Sequence, residues 1–228
     1  MIKACKKYIK TFKTHFKKSK NAKKIEADKQ SANPKHYPLQ LSQNEIEYVR
    51  NALNSAGGGA YLEFGSGGST FLAILHSSVR AISVESDEKW IEYLKGWKVI
   101  NEAIECGALE FISVDIGRTG EWGVPLEMEK KSLFPHYSAQ VFEKYTDFDI
   151  VFIDGRFRVA CLLQTLLHCP KHTKILMHDF NNRAFYHQIL EFVDFVDTCD
   201  TLAEFKVKQN IDKQRLLALY EEYKYVWE

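Results

Sequence analysis

The chain has 228 residues, 45% of them hydrophobic and 27% charged, an ordinary globular composition with enough length to bury one sizeable core. No apolar run approaches the ~20 residues that a membrane-spanning helix needs. The net charge of +1 hides an asymmetry: residues 1–24 hold ten lysines and no acid, leaving 21 Lys and Arg against 30 Asp and Glu elsewhere. An acidic body argues against nucleic-acid binding.

In chain order, the lysine-rich start comes first. Ile2, Cys5, Tyr8, Ile9, Phe12 and Phe16 recur at helical spacing with lysines between them. Two readings follow: a basic amphipathic helix on an anionic surface such as the inner face of a membrane, or a solvated tail. Lysines interrupt every apolar stretch, so no secretory signal is expected. Residues 25–41, with Asn33-Pro34 and Tyr37-Pro38, read as a linker. Residues 42–228 read as one domain. Ser42-Gln-Asn-Glu45 is a capping box, which predicts a helix to about Asn54.

Strand and helix patterns then alternate. Strands are predicted at Ala60–Phe64, Ala81–Glu85, Leu109–Val114, Phe148–Asp154 and Lys174–His178. Helices are predicted at Ser69–His76, Asp87–Glu105, Arg158–His168 and Arg183–Phe192. This order predicts an α/β fold of right-handed βαβ units, with a parallel sheet covered on both faces. Phe195–Cys199 and Leu202–Lys208 then flank a tight Asp200-Thr201 turn, and a helix from Asp212 to about Tyr225 ends the chain. The five cysteines are scattered, with no C-x-x-C pair, so neither a disulfide framework nor a zinc knuckle is indicated and a reducing cytoplasm is the expected home. His168-Cys169-Pro-Lys-His172 reads as a chance loop rather than a metal site.

The first strand breaks into Gly65-Ser66-Gly67-Gly68 and a helix begun by Ser69 and Thr70. Strand, glycine turn and helix bring backbone N–H groups close to a nucleotide-like ligand. Glu63, two residues before the first glycine, would repel a pyrophosphate and favour a ligand with a sulfonium and an amino group. That points to S-adenosylmethionine (SAM) rather than a dinucleotide. Glu85 ends the next strand, where a carboxylate can take both ribose hydroxyls.

This order, with its motif Glu63-Phe-Gly-Ser-Gly-Gly-Ser-Thr70, resembles the class I SAM-dependent methyltransferases over roughly residues 42–228. The resemblance implies a Rossmann-like three-layer sandwich, with a mostly parallel seven-stranded sheet ending in an antiparallel hairpin. It places Glu63, Gly65, Ser66, Gly67, Ser69, Thr70, Glu85, Asp115 and Asp154 around the cofactor, Asp115 beside the adenine. Gly120-Glu-Trp-Gly-Val-Pro125, Phe152-Ile-Asp-Gly-Arg-Phe-Arg-Val-Ala-Cys161 and His178-Asp179 are similar to a narrower bacterial subgroup associated with sugars or small metabolites.

Four acids, Glu85, Asp115, Asp154 and Asp179, fall at or just past strand carboxyl ends, where open α/β sheets bind ligands. Methyl transfer to an alcohol needs an acceptor in line with the sulfonium methyl and a base for its proton. Asp154 is expected beside the acceptor, with His178 or Asp179 as base. Arg156 and Arg158 suit an anionic group on the acceptor or merely order the site. Asp154 and Asp179, with Asn181 or Asn182, also resemble an Mg²⁺-binding oxygen set. The segment from Gly117 to Tyr137 reads as a substrate lid carrying Trp122, and Tyr186 and His187 are placed near the same cleft.

The expected activity is O-methylation of a small polar acceptor, such as a sugar or glycan intermediate. The competing reading is a catalytically silent protein of the same fold, docking through its lysine-rich start. The oligomeric state is not legible.

Overall fold

The computed structural model describes residues 20–228. The amphipathic face expected from Ile2 to Phe16 lies outside them. A first helix, α1 (Lys20–Lys29), precedes α2 (Gln43–Ser55), and β1 (Ala60–Phe64), α3 (Gly68–His76) and β2 (Arg80–Glu85) follow. Next come α4 (Glu88–Lys95), α5 (Lys98–Glu105), β3 (Leu109–Ser113), α6 (Phe134–Ala139), β4 (Ile150–Ile153) and α7 (Arg158–His168). The chain closes with β5 (Lys174–Met177), β6 (Val193–Cys199), β7 (Leu202–Val207) and α8 (Lys213–Tyr223). Among the described residues, no helix is long and apolar enough to cross a membrane.

The seven strands form one sheet in the order β3-β2-β1-β4-β5-β7-β6. The first five are parallel, β7 runs antiparallel to β5, and β6 runs antiparallel to β7. Side chains alternate across each strand, so the sheet feeds two apolar layers. Leu62, Phe64, Val151, Ile153 and Met177 face α6, α7 and α8, while Tyr61, Ala81, Phe152 and Leu176 face α2, α3 and α5. Burial on both faces explains why the parallel strands read as continuous apolar runs.

The capping box is present as expected: Ser42 Oγ accepts the Glu45 amide at 3.1 Å and Glu45 Oε2 accepts the Ser42 amide at 2.8 Å. The predicted Asp87–Glu105 helix is instead two. The chain leaves helical geometry at Trp97, whose fully buried ring packs edge-on against Phe71 at 5.0 Å. Burying a ring of that size contributes roughly 1.5–3 kcal/mol, enough to offset one or two helical hydrogen bonds lost at the break. The predicted Arg183–Phe192 helix is a 3₁₀ segment, Ala184–Glu191. Tyr186, Ile189 and Phe192 are all buried, and a spacing of three aligns along a 3₁₀ face.

The stretch read as a linker also departs from expectation. Residues 25–29 belong to α1, and Ile25, Tyr37, Leu39 and Leu41 pack on the layer beneath α2 and α3. Tyr37 stacks on Phe71 at 4.7 Å. A Cβ at Gly68 would lie 2.6 Å from both Leu39 Cα and Pro38 O, so only glycine lets this strap cross the start of α3. Gly68→Ala is expected to destabilise the fold by about 1–3 kcal/mol in urea unfolding and to expose residues 37–41 to limited proteolysis; an unchanged midpoint and cleavage pattern would contradict this.

Candidate active site

The glycine turn is held from below by hydroxyls. On β1, Glu63 points to the α3 side, where it is completely buried. Its carboxylate accepts Ser83 Oγ and Ser69 Oγ at 2.6 Å each, Tyr61 Oη at 3.1 Å, and the Thr70 hydroxyl. Ser83 is its register partner on β2. Thr70 Oγ1 in turn accepts the Gly67 amide at 2.9 Å. Burial pushes the Glu63 carboxyl up, and the four hydroxyls only partly offset this. Glu63 therefore does not face a ligand as expected: it braces the turn, and the side chains of Ser69 and Thr70 are spent on it.

Gly65, at φ +95, lies so close to the β4 turn that a Cβ there would sit 2.6 Å from Gly155 Cα. By contrast, a Cβ at Gly67 would meet nothing within 4 Å. Glu85 closes β2 beside this turn. It accepts the Ser66 amide at 3.1 Å through one oxygen, and the Ser86 and Asp87 amides at 2.7 and 2.9 Å through the other. Burial raises its carboxyl despite those three donors. Trp90 Nε1 donates to Ser66 O at 2.8 Å, which ties the turn to α4. Asp115 lies exposed just past β3 and accepts the Gly117 amide at 2.8 Å.

The second half of the site is an ionic cluster at the ends of β4 and β5. Arg158, only 3% exposed, bridges Asp154 Oδ1 at 3.1 Å and Asp179 Oδ2 at 3.2 Å. Its remaining donors reach Gly155 O at 2.9 Å and His178 O at 2.6 Å. Arg183 adds a second cation on Asp179 at 2.8 Å, and the Tyr186 ring lies beneath both guanidiniums. Asp179 holds a left-handed φ of 61, a conformation that Asp tolerates better than most residues. Burial favours its neutral form, yet Arg158, His178 and Arg183 leave its carboxyl below the usual range.

His178 lies between two carboxylates, with Nδ1 2.8 Å from Asp154 Oδ1 and Nε2 3.5 Å from Glu45 Oε2. Burial pulls its pKa down, but the Asp154 bond and the charges of Asp154, Asp179 and Glu45 leave it raised. Glu45 was legible only as a cap. Its other oxygen takes the Thr201 amide at 3.0 Å and hydroxyl at 2.7 Å, so one side chain joins α2, the β6–β7 turn and His178. No local pattern signals that contact.

Several expectations are corrected here. Arg158 is scaffolding, because every direction of its guanidinium is taken. Asp179 has neither oxygen free, with Oδ2 shared by Arg158 and Arg183 and Oδ1 facing His178 at 4.0 Å. His178 has Nδ1 engaged with Asp154 and Nε2 facing Glu45, so neither ring nitrogen is left free for a substrate proton. The acid of the cluster with an uncommitted oxygen is Asp154: both contacts fall on Oδ1, leaving Oδ2 open.

As for a metal, Asp154, His178 and Asp179 do bring donor atoms within 4.8 Å of one another. Arg158 already supplies the cation between the two carboxylates, and Asn181 turns away to Asp200 O at 2.9 Å and Leu202 O at 3.3 Å. The donor set does not fit Mg²⁺. Tyr186 reaches the cluster, whereas the His187 ring packs on Phe180 at 4.7 Å. In the lid segment, Phe134 and Tyr137 are core residues, while Trp122 stays 68% exposed with a left-handed φ of 60. A cavity of about 390 Å³, lined by Leu166, Cys169, Lys171 and Val207, lies toward the opposite edge of the sheet.

No family model and no curated protein matches this chain. Among solved structures, it is similar to a methyltransferase-like protein from Silicibacter pomeroyi, with 32% identity over 84% of this chain and 98% of the other, at a TM-score of 0.72. A methyltransferase from Geobacter sulfurreducens shares the fold at 11% identity, covering 75% of this chain and 82% of that one, with a TM-score of 0.50.

Removing Arg158 empties a buried guanidinium site and leaves two half-buried carboxylates without their shared cation. Arg158→Ala is expected to lose about 3–5 kcal/mol in denaturant titration; a loss under 1 kcal/mol would show that the cluster is not structural. His178 binds its proton more tightly folded than unfolded. Its stabilisation is therefore complete below about pH 6.5, the unfolded value, and disappears as pH rises through the higher folded value. Across that window the stability advantage of the wild type over His178→Gln should shrink; parallel pH profiles would refute the assignment.

Proposed function

This chain belongs to the class I SAM-dependent methyltransferase family, a family of methyl-group transferases, and we propose that it methylates an oxygen of a small polar acceptor such as a sugar or glycan intermediate. The observation that carries this reading is Asp154: a carboxylate at the end of β4, steered by Arg158 and His178 through one oxygen and open at the other.

The residues at the carboxyl edge fit the cofactor. The open space beside Gly67 accepts a ligand where a Cβ would intrude, and Glu85 presents a carboxylate at the end of β2 for the ribose hydroxyls. When bound, SAM supplies an electrophilic methyl carbon on a positively charged sulfur. The chain's part is to aim the acceptor hydroxyl and receive its proton. Asp154 Oδ2 would accept the hydroxyl hydrogen bond and take its proton as the methyl carbon leaves the sulfur for the acceptor oxygen, with S-adenosylhomocysteine as the leaving group. His178 at Oδ1 fixes the carboxylate plane, and Arg158 prevents it from rotating away. Glu45 holds His178 from the far side.

The acidic body gives no support to a nucleic-acid acceptor. The lysine-rich residues 1–24 suit an acceptor presented at an anionic membrane surface.

Isothermal titration with S-adenosylhomocysteine tests the cofactor site. The wild type is expected to bind, and Gly67→Ala to bind about tenfold more weakly or worse at an unchanged melting temperature, since its Cβ enters ligand space and not protein. A wild type that binds neither SAM nor S-adenosylhomocysteine would leave the silent reading standing. Radiolabelled SAM incubated with a cell extract, followed by fractionation of the labelled product, would identify the acceptor.

A further inference from the structure

We propose that Arg156 recognises the methyl acceptor and that the acceptor carries an anionic group, a phosphate or a carboxylate; this rests on the methyl-transfer reading above. Three arginines converge on the ends of β4 and β5, and two of them are spent: Arg158 on Asp154 and Asp179, Arg183 on Asp179. Arg156 is only partly exposed, and its Nε is enclosed with no hydrogen-bond partner. No ion pair reaches it among the described residues.

Burial lowers the pKa of Arg156 and the neighbouring Arg158 lowers it further, while Tyr186 and Tyr137 act the other way. Arg158 and Arg183 are matched to Asp154 and Asp179, whereas Arg156 is the arginine of the group that no carboxylate pairs among the described residues. An enclosed guanidinium is costly to leave unpaired, and its planar fork matches a phosphate or carboxylate through two parallel hydrogen bonds.

Its place also suits an acceptor. The stem of Arg156 runs beside the lid segment: a Cβ on Gly123 would lie 3.6 Å from Arg156 Cγ and 3.7 Å from Ser86 Oγ. The neighbouring Trp122 is largely exposed in a left-handed conformation uncommon for a bulky side chain. Arg156, two residues past Asp154, and the exposed Trp122, next to Gly123, thus offer a cation and an aromatic ring from neighbouring segments, a pairing that suits an anionic sugar-like molecule.

The cofactor's own carboxylate offers the same chemistry, so the test separates the two sources. Full-length protein saturated with S-adenosylhomocysteine is titrated calorimetrically with inorganic phosphate and, separately, with acetate, in the wild type, Arg156→Gln and Arg156→Lys. Saturable binding of at least one anion is expected, about tenfold weaker or worse in Arg156→Gln and partly retained in Arg156→Lys. Absence of saturable binding in the wild type, or equal affinity in Arg156→Gln, overturns the proposal. Affinities for S-adenosylhomocysteine and for 5′-methylthioadenosine, which lacks the amino-acid end, should be unchanged in Arg156→Gln. A selective loss for S-adenosylhomocysteine would assign Arg156 to the cofactor's carboxylate and overturn the proposal. If the wild type binds no S-adenosylhomocysteine, the cofactor reading fails, and the anion titration of the unliganded chain still decides the role of Arg156.

Discussion

Arg158 ties the carboxyl ends of β4 and β5 together through two backbone carbonyls and two carboxylates, from a position almost closed to solvent. A guanidinium can do this because its donors lie in a plane and diverge, whereas an ammonium could satisfy fewer partners in fixed directions. Once that cation is in place, Asp154 has one oxygen committed and one free, Asp179 is held in a left-handed backbone conformation, and His178 is set between two carboxylates. The geometry of the proposed chemistry follows from a residue that does none of it.

The glycine turn depends on an analogous buried anchor of opposite sign. Glu63 sits beneath it in a cage of four hydroxyls drawn from β1, β2 and α3, and one of those hydroxyls returns to the Gly67 amide. Leaving a carboxylate there without donors would cost several kcal/mol, so the cage and the turn form together or not at all. The turn is consequently rigid before any ligand arrives, and Gly65 and Gly155 touch across it because neither has a Cβ. Glu85, Asp154 and the unpaired Arg156 fall between these two anchors, at the ends of β2 and β4.

Much of this was legible in advance where the physics is local. Alternating apolar runs and glycine turns located all seven strands, and Ser42 with Glu45 marked the start of α2 to the residue, because capping is a contact across three positions. Departures arose wherever a distant partner outweighed local preference. Trp97 breaks a periodic helix to reach Phe71, and the 3₁₀ segment over Ala184–Glu191 aligns Tyr186, Ile189 and Phe192 toward the core. The proline-marked stretch before α2 is no free linker, since Tyr37 and Leu39 find apolar ground on α3.

For the site, sequence by itself determined which residue types gather at the sheet's carboxyl edge, because strand ends in a parallel α/β fold all open on one side. It could not apportion them. Glu63 and Glu85, or Arg156 and Arg158, look equivalent when only spacing is visible. Tertiary structure decided that Glu63 is enclosed by hydroxyls while Glu85 takes backbone amides at the end of β2, that Arg158 is consumed while Arg156 is not, and that Glu45 reaches His178. Those outcomes depend on which oxygens and nitrogens are already satisfied by neighbours remote in the chain, and only the folded arrangement of the two sheet faces supplies that.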